Sequence, residues 1–195
     1  MGAGKTTVAT LLAEKFNQIP LLENFDKHPF LDDFYSNMSL YAYETEIGFL
    51  LMHYHQIRKE FHHNKNNYII SDFYIYKDML FAEANILNIK ELSIFEDLFK
   101  YLSSQLLKPD LIIYLEASDN LLFSRVQNRS RENEKNIGLD YIQKINLEYK
   151  SYFCKNVDDI KTITVNMDKY DFLKDELALD MLIDRIQKIL DIAKF

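Results

Sequence analysis

The sequence predicts a doubly wound α/β fold, a parallel sheet with helices on both faces. Three observations predict it. Short apolar runs alternate with longer stretches whose apolar residues recur at helical spacing, and a GKT triplet stands directly before the first helical stretch. Only four glycines and three prolines occur in 195 residues, which favours long helices joined by short loops. Strands of a parallel sheet are buried on both faces, so they read as continuous apolar runs.

Each element follows in chain order. Val8, Leu11, Leu12 and Phe16 repeat at helical spacing and predict a helix that begins at the GKT. Residues 19–22 form an apolar run and predict a strand that ends at Glu23. Residues 38–64 predict one long helix, with Ile47, Leu50, Leu51, Tyr54, Ile57 and Phe61 on its inner face. Residues 68–71 predict a second strand, ending at Asp72. Helices are predicted at 73–88 and 90–107, a strand at 111–115, helices at 118–130 and 138–154, a strand at 160–165 and a last helix at 173–192. No repeat or linker divides the chain, so residues 1–195 read as a single domain, long enough to bury a core without disulfides or a metal.

Composition removes several function classes. A net charge of -7 argues against a broad nucleic-acid-binding face, because such a face needs cations to displace counterions. Small phosphorylated ligands need only a local basic cluster and remain open. The sole cysteine, Cys154, cannot form an intramolecular disulfide, which agrees with a reducing cytoplasm. No apolar run is long enough to span a bilayer and no basic-then-apolar leader is seen, so no membrane partner is expected.

The chemistry concentrates in four stretches. In Gly2, Ala3, Gly4, Lys5, Thr6 and Thr7, the back half of a P-loop, backbone N–H groups at a helix start attract phosphate. Lys5 bridges the β and γ phosphates there, and the Thr6 hydroxyl is placed for Mg²⁺. In LLENFDKHPFLDDFYSN, Glu23 is either a general base that takes a proton from a substrate hydroxyl or an exposed acid at a strand end. In NYIISDFYIYKDMLFAEANIL, Asp72 either holds Mg²⁺ through water or caps the following helix. Lys77 and Asp78, one turn on, read most simply as a solvated surface pair. In the fourth stretch a strand leads into a helix ending near Arg125, Arg129 and Arg131, a cluster that suits polyphosphate. Carboxylates after two strands, beside a GKT helix start, suit a Mg-nucleotide site, since open α/β sheets bind ligands at the carboxyl ends of strands.

The ordered set GAGKT, E-N-F with HPFLDDFY, a tyrosine-rich helix, SDFYIYKD, PDLIIYL and RxxxRxR with a glutamate three residues on resembles the bacterial deoxynucleoside kinases. The resemblance covers nearly the whole chain. It implies a P-loop NTPase-like fold, ATP and Mg²⁺ as cofactors, a nucleoside as the other small-molecule partner, and a homodimer. It assigns Glu23 as the base for the 5′-hydroxyl and Tyr35 and Glu134 to the sugar 3′-hydroxyl. Arg125, Arg129 and Arg131 become the lid over the donor phosphates, with Arg129 and Lys5 counted among the catalytic groups. Glu46 falls where the family carries a base-reading glutamine, and His53 where an arginine is usual. The family's acid-Arg-Ser is replaced by Asp72, Phe73 and Tyr74, so Lys77 supplies the missing charge, with Asp78 beside it. An ionised Glu46 only accepts hydrogen bonds and favours base edges that present donors. The family also has a strand and a glycine before the loop, which implies that the sheet's first strand is missing here, with about nine residues upstream of Met1.

The sequence is therefore read as a cytoplasmic ATP-dependent deoxynucleoside kinase of nucleoside salvage, purine-preferring. Two alternatives remain: a nucleoside monophosphate kinase of the thymidylate kinase type, and a non-catalytic nucleotide-binding partner subunit.

Overall fold

The computed structural model describes residues 1–63, 68–129, 131, 134, 137–155 and 160–191. Helix α1 spans Lys5–Lys15, and its amino end emerges from a loop turned by Gly2 (φ 69°) and Gly4 (φ 89°), a backbone region that costs glycine little. A Cβ on Gly2 would come within 2.6 Å of the Leu122 carbonyl oxygen, so the loop lies directly against a later helix.

A 3₁₀ turn at Phe25–Lys27 leads to α2 (Leu31–Ser36) and α3 (Met38–His63). Helices α4 (Tyr76–Asn85) and α5 (Ile89–Ser103) follow, the second begun by Asn88, whose side chain accepts from the Lys90 N–H. Strand β1 (Ile112–Glu116), α6 (Asp119–Asn128), α7 (Leu139–Cys154), β2 (Thr162–Asn166) and α8 (Glu176–Leu190) complete the order.

The helices lie where the periodicity puts them, mostly within three residues at each end. The expected end residues 64, 130 and 192 lie outside the described residues. The strands are a partial correction. β1 and β2 pair in parallel from Ile112 with Thr162 to Glu116 with Asn166, as expected. The runs at 19–22 and 68–71 make only one parallel bridge, Leu21 with Ser71. Leu21 N–H donates to Ile70 O (2.8 Å) and Asp72 N–H to Leu21 O (3.2 Å), after which the Ser71 hydroxyl donates to the Phe73 carbonyl (2.7 Å) and the chain turns away.

A second correction concerns α3. Leu50 and Ile57 are buried as expected, but Leu51 and Phe61 are exposed. The buried face instead carries Thr45, Glu46 and His53 beside Ala42, Leu50 and Ile57. Spacings of three, four and seven place these residues on one side of the helix, so polar side chains occupy positions that an apolar pattern does not mark.

Two apolar cores result. One joins α1, α6, α7, β2 and α8, with Leu12, Val126, Ile142, Ile163 and Leu182 in it. The other joins α2 to α5, with Phe34, Leu50, Ile75 and Phe95 in it. Tyr35, Met38 and Tyr141 pack against both, so a seam runs between the cores. Phe95 is fully buried in the second core. Phe95→Ala is expected to cost about 3–5 kcal/mol of unfolding free energy, read as a lower urea midpoint at unchanged slope.

Candidate active site

A cavity of about 570 Å³ opens at the seam, lined by the P-loop residues, Glu23, Tyr35, Glu46, Lys77 and the lid arginines among others. Its floor is organised by Asp72. Thr6 Oγ1 donates to Asp72 Oδ2 (2.6 Å), and the Glu23 backbone N–H donates to Asp72 Oδ1 (2.8 Å). The helix start and the strand-end glutamate thus share one carboxylate. Asp72 is no helix cap, because α4 begins four residues later with Ile75 as its N-cap.

Glu23 is equally constrained. Lys77 Nζ donates to its Oε1 (2.5 Å), and His53 Nε2 lies 3.2 Å from the same oxygen. His53 Nδ1 is 2.7 Å and 2.9 Å from the two Asp78 oxygens. Burial alone would raise the Glu23 carboxyl, yet Lys77 and His53 hold it well below the usual range. Burial pulls His53 down but Asp78 outweighs it, leaving the imidazole above its ordinary value, and Glu23 and Asp78 likewise raise Lys77. The expected surface pair is overturned: Asp78 is 1% exposed, and Lys77 is turned inward onto Glu23.

Glu46 and Tyr141 also line the cavity, and Asn85 Nδ2 donates to Glu46 Oε1 (2.7 Å) and to the Tyr141 hydroxyl (3.1 Å). Glu46 pairs with Asn85 and His53 with Asp78, so α3 and α4 run antiparallel and carry two polar rungs. Seven residues separate the rungs on each helix, about 10 Å along the axis. Burial pushes the Glu46 carboxyl up to about 8. Near neutral pH it carries a proton and both donates and accepts, as a glutamine amide does. This corrects the expectation of an acceptor-only residue at position 46, which rested on ionisation in water.

Arg125, Arg129 and Arg131 line the same cavity as the loop. Arg125 Nη1 approaches the Ala3 carbonyl (3.5 Å). Arg129 grips Glu134 through two bonds of 2.6 Å and 2.5 Å, and Arg131 lies 3.5 Å from the same carboxylate while its guanidinium stacks on Phe25 at 3.8 Å. Tyr35 lines the same cavity, and burial first, then Glu134, raises its phenol. Burial and Lys77 lower the Lys5 ammonium.

The arrangement suits a divalent cation held lightly. Among the described residues no cluster of three or more His, Cys, Asp and Glu could hold a metal. Mg²⁺ in nucleotide sites keeps several waters and takes one or two carboxylates with phosphate oxygens. The Thr6 hydroxyl and the Asp72 carboxylate fit that requirement.

Every site residue named from the sequence lines the cavity except His53, which reaches it through Glu23. Sequence reading missed Asn85 and Tyr141. Asn85 stands seven residues after Asp78, the same separation as Glu46 and His53, and that matched spacing is the signal that points to it.

A family model described as deoxynucleoside kinase matches residues 1–191. A deoxyguanosine kinase of Bacillus subtilis (strain 168) is 30% identical, over 97% of this chain and 94% of that protein. A deoxyadenosine kinase of Dictyostelium discoideum is 28% identical, over 87% of this chain and 70% of the relative. Among solved structures, deoxyadenosine kinase from M. mycoides with bound dATP superposes with a TM-score of 0.84, covering 96% of this chain and 95% of that one at 21% identity, a likeness of fold. No helix among the described residues is long and apolar enough to cross a membrane.

Because the folded state holds the Glu46 proton up to about pH 8 and an exposed carboxyl releases it near 4.5, the folded state binds more protons between those values. Glu46 therefore contributes stability below about pH 4.5 that is lost as pH rises to about 8. Urea unfolding at pH 5 and pH 8 is expected to show a fall for the native chain, and a smaller one for Glu46→Gln.

Proposed function

The chain belongs to the deoxynucleoside kinase family, and from that premise we propose which residues carry phosphoryl transfer to the 5′-hydroxyl of a deoxynucleoside. The observation that carries the reading is the single Asp72 carboxylate holding both Thr6 and the Glu23 backbone, which sets a phosphate-binding helix start beside a depressed carboxylate. Glu23 accepts the proton of the 5′-hydroxyl. That oxygen bonds to the γ-phosphorus of ATP, the bond to the bridging oxygen breaks, and ADP leaves with the electron pair. Lys5 and the N–H groups of Gly2 to Thr7 hold the donor phosphates, and Arg125, Arg129 and Arg131 offset charge as it develops. Thr6 and Asp72 would hold Mg²⁺, which when bound would neutralise phosphate charge. Tyr35 and Glu134 take the sugar 3′-hydroxyl.

Glu46 forms the base-reading end, oriented by the buried hydrogen bond from Asn85. A protonated carboxyl offers both a donor and an acceptor to a purine edge, and the relatives named above are a deoxyguanosine and a deoxyadenosine kinase. A monophosphate acceptor is disfavoured, because the Glu23 carboxylate already engages Lys77 and would repel an incoming phosphate. The non-catalytic alternative is disfavoured because base, cations and phosphate loop all line one cavity. The exposed, unpaired Cys154 supports a cytoplasmic location, and exposed Leu40, Leu51, Ile89 and Ile94 on α3 and α5 support a homodimer.

Glu23→Gln is expected to lower kcat about 10²- to 10⁴-fold in a radiolabelled ATP assay, while deoxynucleoside binding by calorimetry persists. Undiminished turnover would remove Glu23 from the base role, and transfer to a deoxynucleoside monophosphate would revive the other kinase class.

A further inference from the structure

We propose that His53 is a positioning residue: locked by Asp78, it holds Oε1 of Glu23 together with Lys77, so that Oε2 is the oxygen that takes the substrate proton. The inference rests on the reading of Glu23 as the base. Its own support is geometric. Both imidazole nitrogens are engaged, Nδ1 at 2.7 Å from Asp78 and Nε2 at 3.2 Å from Glu23, on a side chain that is 1% exposed. The ring also packs against two aromatics, stacked with Phe49 at 5.6 Å and tilted against Phe73 at 4.7 Å between centroids. Two nitrogens converge on one glutamate oxygen, since Lys77 Nζ also donates to Oε1. Among the described residues the contacts from Lys77 and His53 both fall on Oε1, and Glu23 itself lines the cavity.

Asp78 accepts only if Nδ1 carries a proton, so the second proton of the imidazolium sits on Nε2 and points at Glu23. The set is then charge-balanced, with Glu23 and Asp78 opposite Lys77 and His53. The groups facing His53 are Glu23 from the segment after Leu21, Asp78 and Lys77 from α4, and, by longer-range interaction, His28 and Glu46. Above the imidazole's raised value Nε2 loses its proton, and a lone pair then faces Oε1. The restraint on Glu23 is lost as pH rises, not as it falls.

The test uses two amides that each copy one nitrogen. Gln at position 53 extends its Nε2 to the place of the imidazole Nε2, and Asn reaches only the place of Nδ1. His53→Asn is expected to lower kcat tenfold or more with a smaller change in nucleoside KM, and His53→Gln to recover most of that loss. The alkaline fall in kcat of the native chain is expected to disappear in His53→Gln. Equal losses in both variants, or an unaltered alkaline limb in His53→Gln, would overturn the proposal. Nitrogen-15 NMR of the native chain provides a reading that needs neither turnover nor a folded variant. At pH 7 both nitrogens of His53 are expected to be protonated, and an unprotonated Nε2 would also overturn it. Failure of Glu23 as the base shows separately, as turnover retained by Glu23→Gln.

Discussion

One carboxylate makes this molecule's site possible. Asp72 accepts the Thr6 hydroxyl with one oxygen and the Glu23 N–H with the other, tying together a helix start and a strand end that share no ladder among the described residues. The loop also meets α6, where Gly2 lies against Leu122 and Arg125 reaches Ala3, and Gly4 lies near Met167. Through Asp72, the donor and acceptor ends are held by a charge-assisted contact that does not depend on a continuous sheet.

The acceptor side is built on a different principle. α3 and α4 face each other through two polar rungs, Glu46 with Asn85 and His53 with Asp78, flanked by Leu50, Ile57 and Ile75. Buried charge is a poor source of stability, because desolvation commonly cancels the attraction. Here each rung serves the cavity. The His53 end contacts the Glu23 carboxylate, and at the Glu46 end burial favours the protonated carboxyl. The same low-dielectric setting therefore depresses one carboxyl through its cations and raises another that has only an amide partner.

The seam between the two cores explains why a cavity persists. Tyr35 and Tyr141 pack against both clusters and line the cavity, and the Tyr141 hydroxyl accepts from Asn85. Arg129 and Arg131 close one side by gripping Glu134, and the Arg131 guanidinium rests on Phe25. The arginines are thus held in position by protein partners, so their approach to phosphate competes with existing contacts.

Much of the fold was legible in the sequence, because helical spacing is a local property and the chain contains few breakers. The GKT start, Glu23, Asp72 and the arginine cluster were legible as well, since each sits at an element boundary where residue type alone suggests chemistry. The inner face of α3 was not. A pattern search assigns polar residues to the solvent side, whereas Glu46 and His53 face inward against partners on α4. For the same reason Lys77 and Asp78 read as a surface pair when they are the centre of the charge network. Residue order determined the elements and the candidate chemistry. Tertiary packing decided which oxygen meets which nitrogen and which acid keeps its proton, because desolvation and charge pairing act across contacts between residues far apart in the chain.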